Sequence, residues 1–254
     1  MADPDSITIP EIAERYNALL AEAIDLHFLV RDAGLQRTKT DDLEVFRLLV
    51  KRVKEQAIER GVEDDANLLF LFQCVVNSFK SALLMWIELK GGRPDVAWNL
   101  LMDAQDYASV ALRVPVRGVA WGIDRHAERL AEIERVAFPG WPLFLSPGII
   151  EDGGECSICR RRYAECDEHV EGLVYAGRLC DRVNRKMIEG NHVALVETPR
   201  DRRCIIRYVS TEDGRKRDYI TGKILDEAFD RREGDENHMV LDAVILTQKR
   251  LDLD

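Results

Sequence analysis

The sequence predicts an α+β chain with an antiparallel helical bundle over residues 1–137, a Pro/Gly-rich connection over 138–154 and a small zinc-stabilised, β-rich domain over 155–254. Apolar residues recur at spacings of three and four from Ile9 to about Val136, with few Gly or Pro among them, which is the helical period. Chain breakers concentrate between Phe138 and Gly154. Beyond residue 155 the apolar period shortens toward two, beside a cluster of cysteines.

Five helices are expected. The first, Glu11 to Asp32, follows Pro10 and aligns Ile12, Tyr16, Leu19, Ala23, Leu26 and Val30, with Gly34 as its stop. The second starts at a Thr40 or Asp41 cap, with Glu44 placed for a capping box, and aligns Val45, Leu49, Val53 and Ala57 before Gly61. The third, Asp65 to Lys90, is apolar around most of its circumference, as a helix surrounded by neighbours must be. Gly91-Gly92-Arg93-Pro94 breaks it and opens the fourth, Asp95 to Leu112. The fifth, Val116 to Val136, sets Val119, Ile123, Ala127, Leu130 and Ile133 on one stripe.

In the connection, Trp141, Leu143, Phe144 and Leu145 are too apolar for a free linker and are expected to pack back across the two parts. Strands are expected at Val193 to Glu197, Cys204 to Ser210 and Tyr219 to Ile224, with Thr211-Glu212-Asp213-Gly214 turning a hairpin between the last two. Leu225 to Arg232 reads as one or two helical turns, and Met239 to Thr247 as a final strand.

Four of the six cysteines, Cys156, Cys159, Cys166 and Cys180, lie in one short stretch, a distribution that points to metal rather than to disulfides. Cys74 and Cys204 sit in apolar runs and read as small buried hydrophobes. Cys156-Ser-Ile-Cys159 and Cys166-Asp-Glu-His169 each place two ligands with two residues between them, and six residues separate the pairs. A C-x2-C turn brings two sulfurs to one metal at little backbone strain, and the second pair completes a tetrahedron. Zinc is therefore assigned to Cys156, Cys159, Cys166 and His169 as a structural ion, because four protein ligands leave no position for water or substrate. Cys180 could replace Cys166 or His169 as the fourth ligand.

The segment with Cys156, Cys159, Cys166, His169, Gly172, Tyr175, Gly177 and Cys180 resembles cysteine-rich stretches of uncharacterised bacterial and phage-linked proteins. The resemblance covers about a tenth of the chain and implies a zinc site and a mobile-element or defence setting, with no activity to transfer.

Catalytic alternatives are thin. Glu168-His169-Val170 and the run Leu179 to Lys186 are similar to pieces of HNH nucleases, but Val183 stands where that family has a second Cys, and only ten residues separate His169 from Cys180. Ribonuclease domains of the HEPN type need an Arg about four to six residues ahead of a His, whereas Arg125 and His126 are adjacent and Arg117 lies farther upstream, so His126 reads as a surface or capping residue. No Gly-rich phosphate loop or nucleophile elbow occurs. Residues 155–186 hold seven Lys/Arg against six Asp/Glu, the balance of a mixed solvated surface rather than of a phosphate track.

The whole chain, 254 residues with 36 basic and 46 acidic side chains, carries a net charge of −10, which disfavours bulk attraction to nucleic acid or anionic lipid. The acidic start Met1-Ala2-Asp3-Pro4-Asp5 is unlike a secretory leader, so a cytoplasmic location and no membrane role are expected. The function expected is a non-catalytic, zinc-binding interaction or scaffold protein that recognises a protein partner, with the bundle supplying core or homo-oligomer contacts. The competing class is a divergent metal-dependent nuclease or nucleic-acid-binding protein in phage defence, with Asn184 and His192 as its testable residues.

Overall fold

A computed structural model describes residues 7–28, 32–116, 122–141, 143–230, 238–247 and 251–253. Among these the helices are α1 (Ile9–Phe28), α2 (Ala33–Glu59), α3 (Glu63–Lys90), α4 (Pro94–Ala111) and α5 (Ile123–Ala137). The strands are β1 (Phe144–Glu151), β2 (Glu155–Cys156), β3 (Val174–Tyr175), β4 (Arg178–Leu179), β5 (Arg182–Val183), β6 (Met187–Val196), β7 (Ile206–Ser210), β8 (Arg215–Asp218), β9 (Ile224–Ala228) and β10 (Leu241–Ala243). The chain is α+β, with helices first and a sheet-rich region with a Cys/His cluster after them.

The chain divides into two compact units. One gathers the described parts of Met1–Glu132, Gly153–Arg185 and Leu251–Asp254; the other, those of Ile133–Asp152 and Lys186–Arg250. These limits differ from breaks at 137 and 154, for two local reasons. Residues 153–185 close among themselves and onto the helices, and residues 144–151 are not a connection but a strand paired antiparallel with β6.

In the first unit α3 is the central helix. Leu69, Phe70, Phe72, Val76, Leu83 and Met85 are fully buried, and α2 and α4 pack along it, joined to it by three-residue connections that contain Gly61 and Gly92, both at positive φ. Pro94 occupies the first turn of α4, where its missing N–H costs nothing. By length and composition α3 could cross a membrane, but 83% of its apolar window is buried inside the protein, as in a core helix.

Two expectations about α2 are corrected. The helix begins after Asp32, whose carboxylate accepts the N–H groups of Gly34 (2.6 Å) and Leu35 (3.3 Å), so Gly34 opens α2 instead of stopping α1, and Thr40 lies in mid-helix. With the start moved, the buried stripe becomes Leu43, Phe46, Val50, Val53 and Ala57, and Val45 is 60% exposed. His126, expected as a surface or capping residue, is buried. It stacks on Phe79 and shares a 2.8 Å hydrogen bond with Ser78 Oγ, which donates to Ala104 O. Val30 and Val119 fall outside the described residues.

The second unit holds the β1–β6 ribbon and a sheet ordered β10-β7-β8-β9. A hairpin turns at Thr211 to Gly214 as expected, but its second strand is β8, Arg215–Asp218, whose four charged residues show no apolar alternation; residues 219–223, expected as that strand, form the turn between β8 and β9. Leu225 to Ala228 is not helical; it belongs to β9, paired antiparallel with β8. The last strand is shorter than expected, Leu241–Ala243. Trp141 and Phe144 are buried in this unit, Trp141 lying against Phe144 and Tyr219.

Candidate metal centre

Cys156 and Cys159 lie on a loop closed at both ends. Cys156 N–H donates to Arg161 O (2.9 Å), and Arg160 N–H donates to Cys156 O (3.0 Å). Closing so short a loop forces Arg160 to a φ of 63°, the left-handed region. Gly154, at φ 64°, leads into β2. A Cβ there would stand 2.5 Å from Val183 O, so the close approach of β2 to β5 requires glycine.

The second pair follows a 3₁₀ turn, Tyr163–Glu165, whose end aims Cys166 back toward the loop. Two tyrosine hydroxyls fasten the next stretch: Tyr175 accepts Val170 N–H (3.0 Å) and Tyr163 accepts Glu171 N–H (2.8 Å). The Tyr175 ring meets the His169 imidazole edge-on at 4.9 Å and limits its rotation.

These constraints bring one ligand atom from each of Cys156, Cys159, Cys166 and His169 within 4.8 Å of one another. Cys159 Sγ lies 3.6 Å from Cys166 Sγ, and Cys166 Sγ lies 3.5 Å from His169 Nδ1. Ligands of a tetrahedral zinc, with bonds of ~2.3 Å to sulfur and ~2.05 Å to nitrogen, stand about 3.8 Å apart for two sulfurs and about 3.6 Å for sulfur and nitrogen. The donor set and its spacing therefore fit a four-coordinate metal ion, with Nδ1 as the imidazole ligand. The backbone N–H of Arg161, aided by its guanidinium, holds the Cys159 thiol down to about 6, which favours the thiolate that a metal needs.

Cys180 stands beside this set and not in it. Its Sγ is 3.9 Å from Cys156 Sγ, and its backbone is held by Leu173 O and by Gly172 N–H, each at 2.8 Å. Burial, together with the neighbouring Cys156, pushes its thiol up to about 12. Cys74 and Cys204 are both buried, as their apolar surroundings imply.

Four residues at the centre were given no role there by the sequence. Arg161, Tyr163 and Tyr175 orient or polarise the ligands, and Asn67 anchors the module to α3. At the tip of the β3–β4 hairpin Ala176 and Gly177 both have positive φ, the geometry of a tight two-residue turn. Gly177 N–H donates to Asn67 Oδ1 (2.8 Å), and a Cβ on Gly177 would meet Ala66 O at 2.8 Å. Val174 and Leu179 then join the helical core. The signal for Asn67 was available, since it is a polar residue at the edge of an otherwise apolar run.

The residues of the nuclease alternative are not assembled within either unit. Asn184, at φ 56°, is tied to Glu155 by a 2.9 Å hydrogen bond in the first unit, while His192 lies on β6 in the second. Several of the basic side chains are paired with acids: Arg161 with Glu168, Arg182 with Glu171, Arg203 with Asp201 and Arg202 with Glu134. Comparison of the chain with protein-family models, curated proteins and solved structures gave no match.

Proposed function

We propose that Cys156, Cys159, Cys166 and His169 hold one structural zinc ion, and that the chain is a non-catalytic, cytoplasmic interaction or scaffold protein. In this reading the metal fixes a small rigid surface that a protein partner recognises. The carrying observation is the convergence within 4.8 Å of four donor atoms, the number that a tetrahedral zinc shell takes from protein side chains alone. Zinc in such a shell cross-links the chain and has no position left for a reacting water. A metal cross-link also answers a physical need, because the strands β2 to β5 have two residues each and cannot stabilise the module by themselves. The pairing of Arg161, Arg182, Arg202 and Arg203 with carboxylates favours a protein partner over a phosphate backbone.

The test is metal content and fold of Cys159→Ser. Loss of stoichiometric zinc together with collapse of the module is expected. A folded variant that keeps a bound metal, or Mg²⁺-dependent nucleic-acid cleavage abolished by Asn184→Ala or His192→Ala, would contradict the proposal.

A further inference from the structure

The first unit also contains a three-residue segment held in the manner of a bound peptide. Leu251, Asp252 and Leu253 lie among α2, α3 and α4, and the structure gives their main chain no helix or strand partner. Side chains serve it instead. Asp252 N–H donates to Tyr107 Oη (2.9 Å), Asn77 Nδ2 donates to Asp252 O (3.1 Å) and Lys54 Nζ donates to Leu253 O (2.9 Å). Arg47 Nη1 forms an ion pair with Asp252 Oδ2 at 3.3 Å. Leu253 is buried in the helical core, and Leu251 packs against the same core.

The four side chains that read this segment are themselves buried, with Lys54 3%, Asn77 2%, Arg47 7% and Tyr107 7% exposed. A helical bundle does not need these groups for its own packing; withdrawing the segment takes from the buried Asn77 amide its acceptor and from Arg47 one of its two carboxylates, the other being Glu44. The same face of α3 carries unused capacity. Gln73, one helical turn before Asn77, is fully buried, and neither of its amide atoms has a hydrogen-bond partner.

We infer that this groove is a recognition site for a Leu-Asp-Leu peptide, of which Leu251–Leu253 is the resident occupant, and that a partner protein presenting a segment of the same chemistry replaces it. Two leucines enter the apolar floor, the central carboxylate meets Arg47, and the main-chain groups meet Tyr107, Asn77 and Lys54. Such reading of a peptide backbone by side chains, with apolar pockets supplying selectivity, is a general mode of segment recognition. Because the same side chains hold either segment, one occupant leaves as the other enters. The site is separate from the cysteine cluster and does not depend on the metal reading.

The experiment uses the full chain and a fluorescein-labelled synthetic peptide with the sequence of residues 248–254. In the double variant Asp252→Lys, Leu253→Ser the resident segment loses its acid and its buried leucine. This variant is expected to keep its helical circular dichroism and to bind the peptide at least tenfold more tightly than the wild type, which holds its own segment in place. A labelled peptide with Lys at the Asp252 position, and the variant further changed by Lys54→Met, should both lose that binding. Loss of helical signal in the double variant would make the segment a fixed part of the core and overturn the inference. So would equal binding of the charge-reversed peptide, or no binding by a folded variant. Wild-type dimers that dissociate on addition of the peptide would make a second copy the donor and contradict a foreign one.

Discussion

Arg160 shows how tightly the ligand loop constrains single positions. Its φ of 63° is tolerated by a side chain unbranched at Cβ and welcomed by glycine, but a β-branched residue clashes with its own backbone there. Arg160→Val is expected to be less stable than Arg160→Gly by about 1–2 kcal/mol in denaturant titrations of the zinc-loaded protein. The grouping of Cys156, Cys159, Cys166 and His169 could be read from spacing, since C-x2-C and C-x2-H pairs are local. The placing of Cys180 beside Cys156 could not, because it depends on the β3–β4 turn and on hydrogen bonds to Gly172 and Leu173. On α2, Glu44 accepts hydrogen bonds from Arg47 (2.7 and 2.9 Å) and Lys80 (2.6 Å), which hold its carboxyl down to about 2. The folded value lies below the unfolded value of about 4.3, so the stabilisation is complete above about 4.3 and is lost as pH falls through 2. Comparing acid titrations of wild type and Glu44→Gln by helical circular dichroism should show a flatter loss of stability for the variant in that window.

Between elements, the contact that joins the cysteine module to the helices is small and specific. Asn67→Ala removes the acceptor of Gly177 N–H and leaves a buried donor unsatisfied, a loss of about 1–3 kcal/mol by thermal or chemical unfolding. The module should exchange its amide hydrogens faster in that variant, even with metal bound. The second strand of the β7–β8 hairpin was expected too late in the chain, but helices α3 and α4 and the Thr211–Gly214 turn were legible because apolar period, Pro94 and turn chemistry are local signals. Two other elements were not. Gly34 reads as a helix stop until Asp32 is seen to cap through Gly34 N–H, and Pro147 and Gly148 read as breakers although they sit in the two-stranded ribbon. A ribbon edge tolerates a residue without an N–H, which a central strand would not.

At the scale of the molecule, sequence order and spatial grouping part company. The cysteine stretch is inserted between the two portions of the second unit, yet it folds with the helices, and Leu251–Leu253 returns to them as well. No local pattern reports this, because the grouping is decided by Gly177 against Ala66, by Val174 and Leu179 in the core, and by Lys54 and Asn77 on the final segment. The measurement that tests the central claim most directly is hydrogen exchange of the full chain with its metal content determined, before and after treatment with a strong chelator. One zinc per chain is expected, and its removal should abolish protection across residues 153–185 and weaken it around Ala66 and Asn67, while β7 and β8 keep theirs. A protein without stoichiometric zinc, or one whose residues 153–185 stay protected after the metal is removed, would contradict a structural zinc centre.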